Sequence, residues 1–73
     1  MAHAVAEQIS LTVNGDPRRT AAATIADFVR ELGLEPKKVA VEHNGEISPR
    51  SGLEEAKLAD GDQLEIVHFV GGG

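Results

Sequence analysis

QISLTVNGDPRRTAAATIADFVRELGL, residues 8–34, is the stretch that decides how this chain folds. In its first six residues Ile9, Leu11 and Val13 alternate with Gln8, Ser10 and Thr12. Strand side chains point to opposite faces in turn, so this pattern is a strand over 8–13 with one buried face. Asn14-Gly15 follows, and both residue types tolerate positive φ, which makes the pair the strongest short hairpin signal. Asp16-Pro17 prolongs the turn, and RRTAA, residues 18–22, is the returning strand despite its weak β formers. The hydrophobic period then changes. Ile25, Phe28, Val29 and Leu32 fall at i, i+3, i+4 and i+7, one face of a helix. Thr24-Ile25-Ala26-Asp27 fits a capping box in which Asp27 reaches back. Gly33 suits the left-handed position after the last turn, with Leu34 folding back as its hydrophobic contact. Pro36 prevents continuation. The predicted helix spans 24–33.

Beyond the helix the period returns to two. KVAVEH, 38–43, is a strand with Val39 and Val41 inward, and Asn44-Gly45 is a second tight turn. Glu46-Ile47-Ser48 returns briefly, and Pro49, which has no N–H to donate, ends the pairing. Residues 50–59 are irregular with one short helical turn, and Leu53 and Leu58 plug the core. Asp60-Gly61-Asp62 is another turn, and QLEIVHF, 63–69, is the last strand. The order is β, β, α, β, short β, β. Strands with one crossing helix make an α+β domain. The arrangement is the β-grasp, or ubiquitin-like, fold: a mixed sheet of about five strands with the helix packed on one face and the other face in solvent. Residues 1–7 are a disordered stretch or extension, 8–69 the domain, and 70–73 a flexible glycine tail.

Composition narrows the function classes. A chain of 73 residues is one domain at most. It has no cysteine, so it offers neither a disulfide nor a thiolate. Twelve acids against seven bases give a formal charge of −5. That balance opposes binding to phosphate backbones, which takes clustered Lys and Arg, and favours a partner with a basic face. No apolar run approaches the roughly 20 residues that span a bilayer. MAHAVAEQ lacks the basic region and apolar stretch of a secretory signal. The expectation is a cytoplasmic protein that binds neither nucleic acid nor membrane.

Little within the body resembles a catalytic constellation. His3, His43 and His68 lack metal-ligand spacing. His43 and His68 lie on different predicted strands and are candidates for neighbours in the sheet, but a chemically idle role at strand edges fits both. Ser10, Ser48 and Ser51 belong to no nucleophile motif. Neither Asn-Gly turn is a phosphate loop, because no glycine-rich stretch precedes the helix. Glu54-Glu55 reads as a solvated face, with orientation of a basic partner as the alternative.

The last strand is different. With Leu64, Ile66 and His68 on the helix side, Glu65, Val67 and Phe69 face away. Phe69 is one of only two aromatic residues. Exposed single apolar residues are ordinary, yet a Val and a Phe beside a glycine tail also form a docking anchor. Ordering three glycines costs about 3–6 kcal/mol, and burying a Phe and a Val returns roughly 1.5–3 kcal/mol each. The two nearly cancel, so backbone hydrogen bonds are needed as well. Extended, Val70 to Gly73 reach about 13 Å, and the three glycines, without side chains, enter a narrow slot. The remaining reactive group is the α-carboxylate of Gly73. Joined to a nucleotide phosphate it becomes a mixed anhydride with an unhindered carbonyl, open to a sulfur or amine nucleophile.

The β-grasp order, the turn ADGD at 59–62, VAVEHNGEISPR at 39–50 and above all EIVHFVGGG at 65–73 resemble the thiamine-biosynthesis sulfur carrier proteins, the ThiS family. The likeness covers about residues 8–73, and residues 1–7 lie in front of the usual family start. It implies a carrier and co-substrate rather than an enzyme, a monomer with no bound cofactor. A ThiF-like activating enzyme spends ATP to adenylate the Gly73 carboxylate, and a cysteine-persulfide donor supplies sulfur to make a thiocarboxylate. A ThiG-like thiazole synthase then receives that sulfur and builds the thiazole ring from a deoxyxylulose phosphate and a glycine-derived imine. Carried onto this chain, Gly72 and Gly73 hold the reactive end, Gly71 gives slack, Phe69 and Val70 dock the tail, and Val67 stands behind them. A Gly-Gly end also fits the sulfur carrier of molybdopterin synthesis and ubiquitin-like modifiers joined to lysines. A fourth reading is a binding module whose tail is idle.

Overall fold

The two asparagine–glycine turns organise the sheet. Residues 7–69 are described by the computed structural model of the chain. Strand β1 (Ile9–Val13) meets β2 (Asp16–Thr20) across a two-residue loop in which Asn14 and Gly15 have φ of 50° and 85°. Val13 pairs with Asp16 and Thr12 with Pro17. The second strand therefore starts two residues earlier than the sequence pattern suggests, and it stops at Thr20. The reason is geometric. Two positive-φ residues match the right-handed twist of the flanking strands, so no further turn residues are needed. Pro17 is tolerated because β2 is the sheet edge.

Helix α1 (Ile25–Glu31) buries Ile25, Ala26, Phe28 and Val29 against the sheet. Its start is held from two directions. Thr24 Oγ1 accepts from the Asp27 N–H at 3.1 Å. The N–H groups of Ile25 and Ala26 donate to the carbonyls of Ala56 and Leu53, at 2.9 and 3.0 Å. The cap is one-way: the Asp27 carboxylate accepts from Arg30 at 3.2 Å instead of reaching back. Asp is a methylene shorter than the Glu that completes the box. At the other end Leu34 N–H donates to Val29 O and Gly33 N–H to Arg30 O, with Gly33 at φ 84°. This is the Schellman arrangement, and it halts the helix two residues inside the predicted span.

A 3-10 turn (Pro36–Lys38) leads to β3 (Val39–His43), which pairs with the short β4 (Glu46–Ser48) across Asn44-Gly45. A second 3-10 turn (Arg50–Gly52) and a loop bring Leu53 fully into the core, with Leu58 partly buried against it. Strand β5 (Asp62–His68) closes the sheet. The order is β2-β1-β5-β3-β4, with β5 parallel to β1 and antiparallel to β3. The last strand in sequence is thus the middle of a five-stranded sheet. Leu11, Val13, Val39, Val41, Leu64 and Ile66 face the helix as the alternation requires. No helix among the described residues is long and apolar enough to cross a membrane.

Both turn asparagines grip β5. The Asn14 amide imitates a strand, accepting from Ile66 N–H at 2.8 Å and donating to Ile66 O at 3.1 Å. Asn44 Oδ1 accepts from Gln63 N–H at 2.8 Å. The substitution Asn14→Gly keeps the backbone conformation and deletes the amide. A loss of about 1–3 kcal/mol is expected in urea unfolding, because the Ile66 N–H and C=O lose their partner. A variant as stable as the parent would show that the amide grip contributes nothing.

Candidate functional site

The open face of the sheet gathers the side chains that the core rejects. From β5 these are Gln63, Glu65 and Val67, continued by Phe69, and from β3 they are Ala40 and Glu42. Val67 lies directly across from Ala40, and Glu65 directly across from Glu42. On β4, Ile47 faces Glu42. Among the described residues three large apolar side chains stand out in solvent: Ile47 at 82%, Val67 at 59% and Phe69 at 46% relative exposure. Between Ile47 and Val67 runs a groove of about 200 Å³, lined also by Ala40, Val41, Glu42 and Glu65.

Phe69 is more fixed than its exposure suggests. Its N–H donates to Lys38 O at 2.8 Å, extending the β3–β5 pairing by one step. The Arg50 guanidinium sits 5.6 Å from the ring centroid and donates to Lys37 O at 3.1 Å. A cation over an aromatic face at this distance holds the ring by its quadrupole. Strand alternation places Val67 and Phe69 on the open face, and the structure finds them there. Ile47, on the short β4, is a third member of this face that no sequence motif marks. The signal was available: a two-residue turn at Asn44-Gly45 pairs 43 with 46 and 42 with 47, so Ile47 shares the outward face of Glu42. Val70, Gly71, Gly72 and Gly73, the other predicted site residues, lie outside the described residues, as do residues 1–6.

The far end of β5 is held by a polar lock where the sequence pattern shows only a simple turn. The buried Asp62 carboxylate accepts from His43 Nε2 at 2.7 Å, Asn44 Nδ2 at 3.0 Å and the Ala59 N–H at 2.9 Å. A carboxylate only accepts, so Nε2 carries the hydrogen. His43 is therefore structural. It pairs with Leu64, whereas His68 pairs with Val39, so the two histidines occupy opposite ends of the ladder and are not neighbours. His68 shares the helix-side parity of Leu64 and Ile66, yet it is exposed at the sheet's end. Among the described residues no group of three metal-ligating side chains forms. Glu54, expected on a solvated face, forms an ion pair with Arg30 that ties the 50–59 loop to α1.

This geometry is that of a known family. The ThiS family profile matches residues 11–73. The chain belongs to the ThiS family. A sulfur carrier protein ThiS from Bacillus subtilis is 50% identical over 50 residues, 68% of this chain and 76% of that protein. The crystal structure of the thiamine biosynthesis protein ThiS from Geobacter metallireducens superposes with a TM-score of 0.72 at 33% identity, covering 89% of this chain and all of that one. The fold is therefore the β-grasp of the ThiS proteins. A thiazole synthase from Paramagnetospirillum magneticum is 46% identical over 66 residues, 89% of this chain but 20% of that protein. The chain thus spans about a fifth of the length of the thiazole synthases it matches.

Burial alone pushes the Asp62 carboxyl up, but the hydrogen bonds from Asn44, His43 and the Ala59 N–H outweigh it and hold the group below its ordinary 3.8. A carboxyl lowered on folding contributes stability that is whole above the unfolded value, and that contribution is lost as pH falls through the folded one. Acid unfolding should therefore steepen below about pH 4. Asp62→Asn should destabilise by about 1–3 kcal/mol at neutral pH, since an amide nitrogen then faces a donor, and should flatten that acid slope. Urea melts at neutral and acid pH give both readings. An unchanged slope would remove Asp62 from the acid response.

Proposed function

We propose that this chain is a sulfur carrier for thiazole formation, a co-substrate whose working group is the Gly73 carboxylate. The observation that carries this reading is the course of β5. The central strand of the sheet runs out past Val67 and Phe69, both on the open face, and continues in sequence into Val70-Gly71-Gly72-Gly73. Family membership and the names of the relatives point the same way.

The chemistry follows from the group. A carboxylate is a poor electrophile. Attack of its oxygen on the α-phosphorus of ATP, in an activating enzyme, releases pyrophosphate and leaves an acyl adenylate. The outer sulfur of a protein persulfide then adds to the carbonyl and expels AMP, giving an acyl disulfide. A second thiol on the delivering protein takes the inner sulfur, which leaves a thiocarboxylate on Gly73 and a disulfide behind. The thiocarboxylate is the nucleophile that thiazole synthase accepts. Glycine at each terminal position keeps the carbonyl open and the segment narrow. The body supplies recognition: Val67 and Phe69 dock, with Val70 leading the tail. The reactions belong to the cytoplasm, where ATP and persulfide donors are at hand.

Incubation with ATP, an activating enzyme and a persulfide donor, read by intact-mass spectrometry, should exchange one oxygen for one sulfur at the C-terminus. A chain lacking Gly72-Gly73 should stay unmodified. Persistence of the parent mass under these conditions would reject the carrier reading. Phe69→Ala should melt as the parent does and bind the activating enzyme more weakly, by about 1.5–3 kcal/mol for a lost buried Phe, roughly tenfold or more in Kd. Equal affinity would strip Phe69 of its docking role.

A further inference from the structure

The open face carries one feature that the fold does not explain. Glu42 and Glu65 are directly opposed on neighbouring antiparallel strands. Directly opposed residues bring their Cβ atoms to roughly 4.5–5.5 Å, and like charges in that position destabilise the sheet. Neither carboxylate takes part in the ion pairs found among the described residues, which join Arg30 with Asp27 and Glu54, Lys38 with Glu35, and His43 with Asp62. Ile47 sits beside Glu42 in the same row, and the Val67–Ala40 pair forms the next row. A local rule is broken within the groove of exposed apolar side chains, with no compensating ion pair among the described residues. Such conflicts concentrate at functional sites.

We infer that the Glu42–Glu65 pair is the receptor for a guanidinium of the activating enzyme, an arginine set among aliphatic side chains that cover Ile47 and Val67. This rests on the carrier reading and adds the chemistry of the partner face. Arginine fits better than lysine. Its planar head offers five donors, enough to bridge two carboxylates at once, and it is more weakly hydrated, so it enters an apolar surround at lower cost. The site also explains the like-charge pair: repulsion in the free chain becomes bridging attraction in the complex. The activating enzyme is the partner assigned because it meets the chain before any sulfur is attached. At that stage a glycine tail offers almost nothing to recognise, and selection falls to the body. The net charge of −5 steers the same encounter.

The test is titration of the activating enzyme with parent and variant chains at low and high salt. The double variant Glu42→Gln/Glu65→Gln should bind about tenfold more weakly at low salt, in the range of close charge pairs at interfaces, and its Kd should depend less on salt. Ile47→Ala should weaken binding while keeping the parent's salt dependence, which separates the apolar contact from the ionic one. The free double variant should melt no lower than the parent, because removing the repulsion cannot cost the sheet. A double variant that binds with the parent's affinity and salt dependence overturns the inference, and so does one that melts lower. If the parent chain itself is neither bound nor converted to a thiocarboxylate, the carrier reading falls with it. If the parent is converted but the double variant binds unchanged, this inference alone fails.

Discussion

The structure depends on keeping β5 fixed at the centre of the sheet. It has a neighbour on each side, β1 in parallel and β3 antiparallel. Two turn asparagines add bonds that no strand supplies, Asn14 to Ile66 and Asn44 to Gln63. Asn14 is poised for this by its conformation. A positive φ aims the amide out of the turn and along the adjacent strand, and Asn is one of the few residues that accepts that φ. The same residue type therefore makes the hairpin and clamps the strand beside it. Sequence separation between Asn14 and Ile66 is large, so the clamp forms only when the sheet is complete.

A central strand with one covered face dictates the rest of the surface. Alternation sends Leu64 and Ile66 to the helix, and it sends Glu65, Val67 and Phe69 to the opposite side, whatever their hydrophobicity. A single helix cannot cover both faces of five strands, so the open face is left to polar residues or to a partner. Around β1 and β2 it is polar, with Ser10, Thr12 and Arg19 outward. Around β3, β4 and β5 it carries the exposed apolar side chains. That division within one sheet face, rather than general surface hydrophobicity, is what supports the proposed docking surface.

Local signals were legible in the sequence and long-range polar ones were not. Both Asn-Gly turns, the helix with its Thr24 cap and Gly33 stop, the burial of Leu53 and the outward pair Val67 and Phe69 follow from patterns a few residues wide. The start of β2 was misplaced because Asp16-Pro17 looks like turn chemistry in isolation, whereas the edge position of the strand makes Pro17 acceptable. Asp62 looks like a turn residue because its partners His43 and Asn44 lie on another hairpin. Periodicity cannot report a contact of that separation. Ile47 was missed for a different reason. Its outward direction was implied by the register, but a three-residue strand carries too short a pattern to stand out.

On the proposed carrier reading, the chain has to be released as well as recognised. Fixing three glycines in a slot costs about 3–6 kcal/mol, which the tail's backbone hydrogen bonds have to offset before it adds affinity. On that reading the body contacts carry much of the strength of the complex. On that reading the apolar groove and the Glu42–Glu65 pair give the recognition its direction. In the thiazole synthases that match this chain, the matching segment lies within a much longer polypeptide. A tethered segment meets its neighbour at an effective concentration that short linkers raise to about the millimolar range, and so needs little affinity of its own. Where no such tether operates, the proposed contacts at the exposed Ile47, Val67 and Phe69 have to supply that affinity.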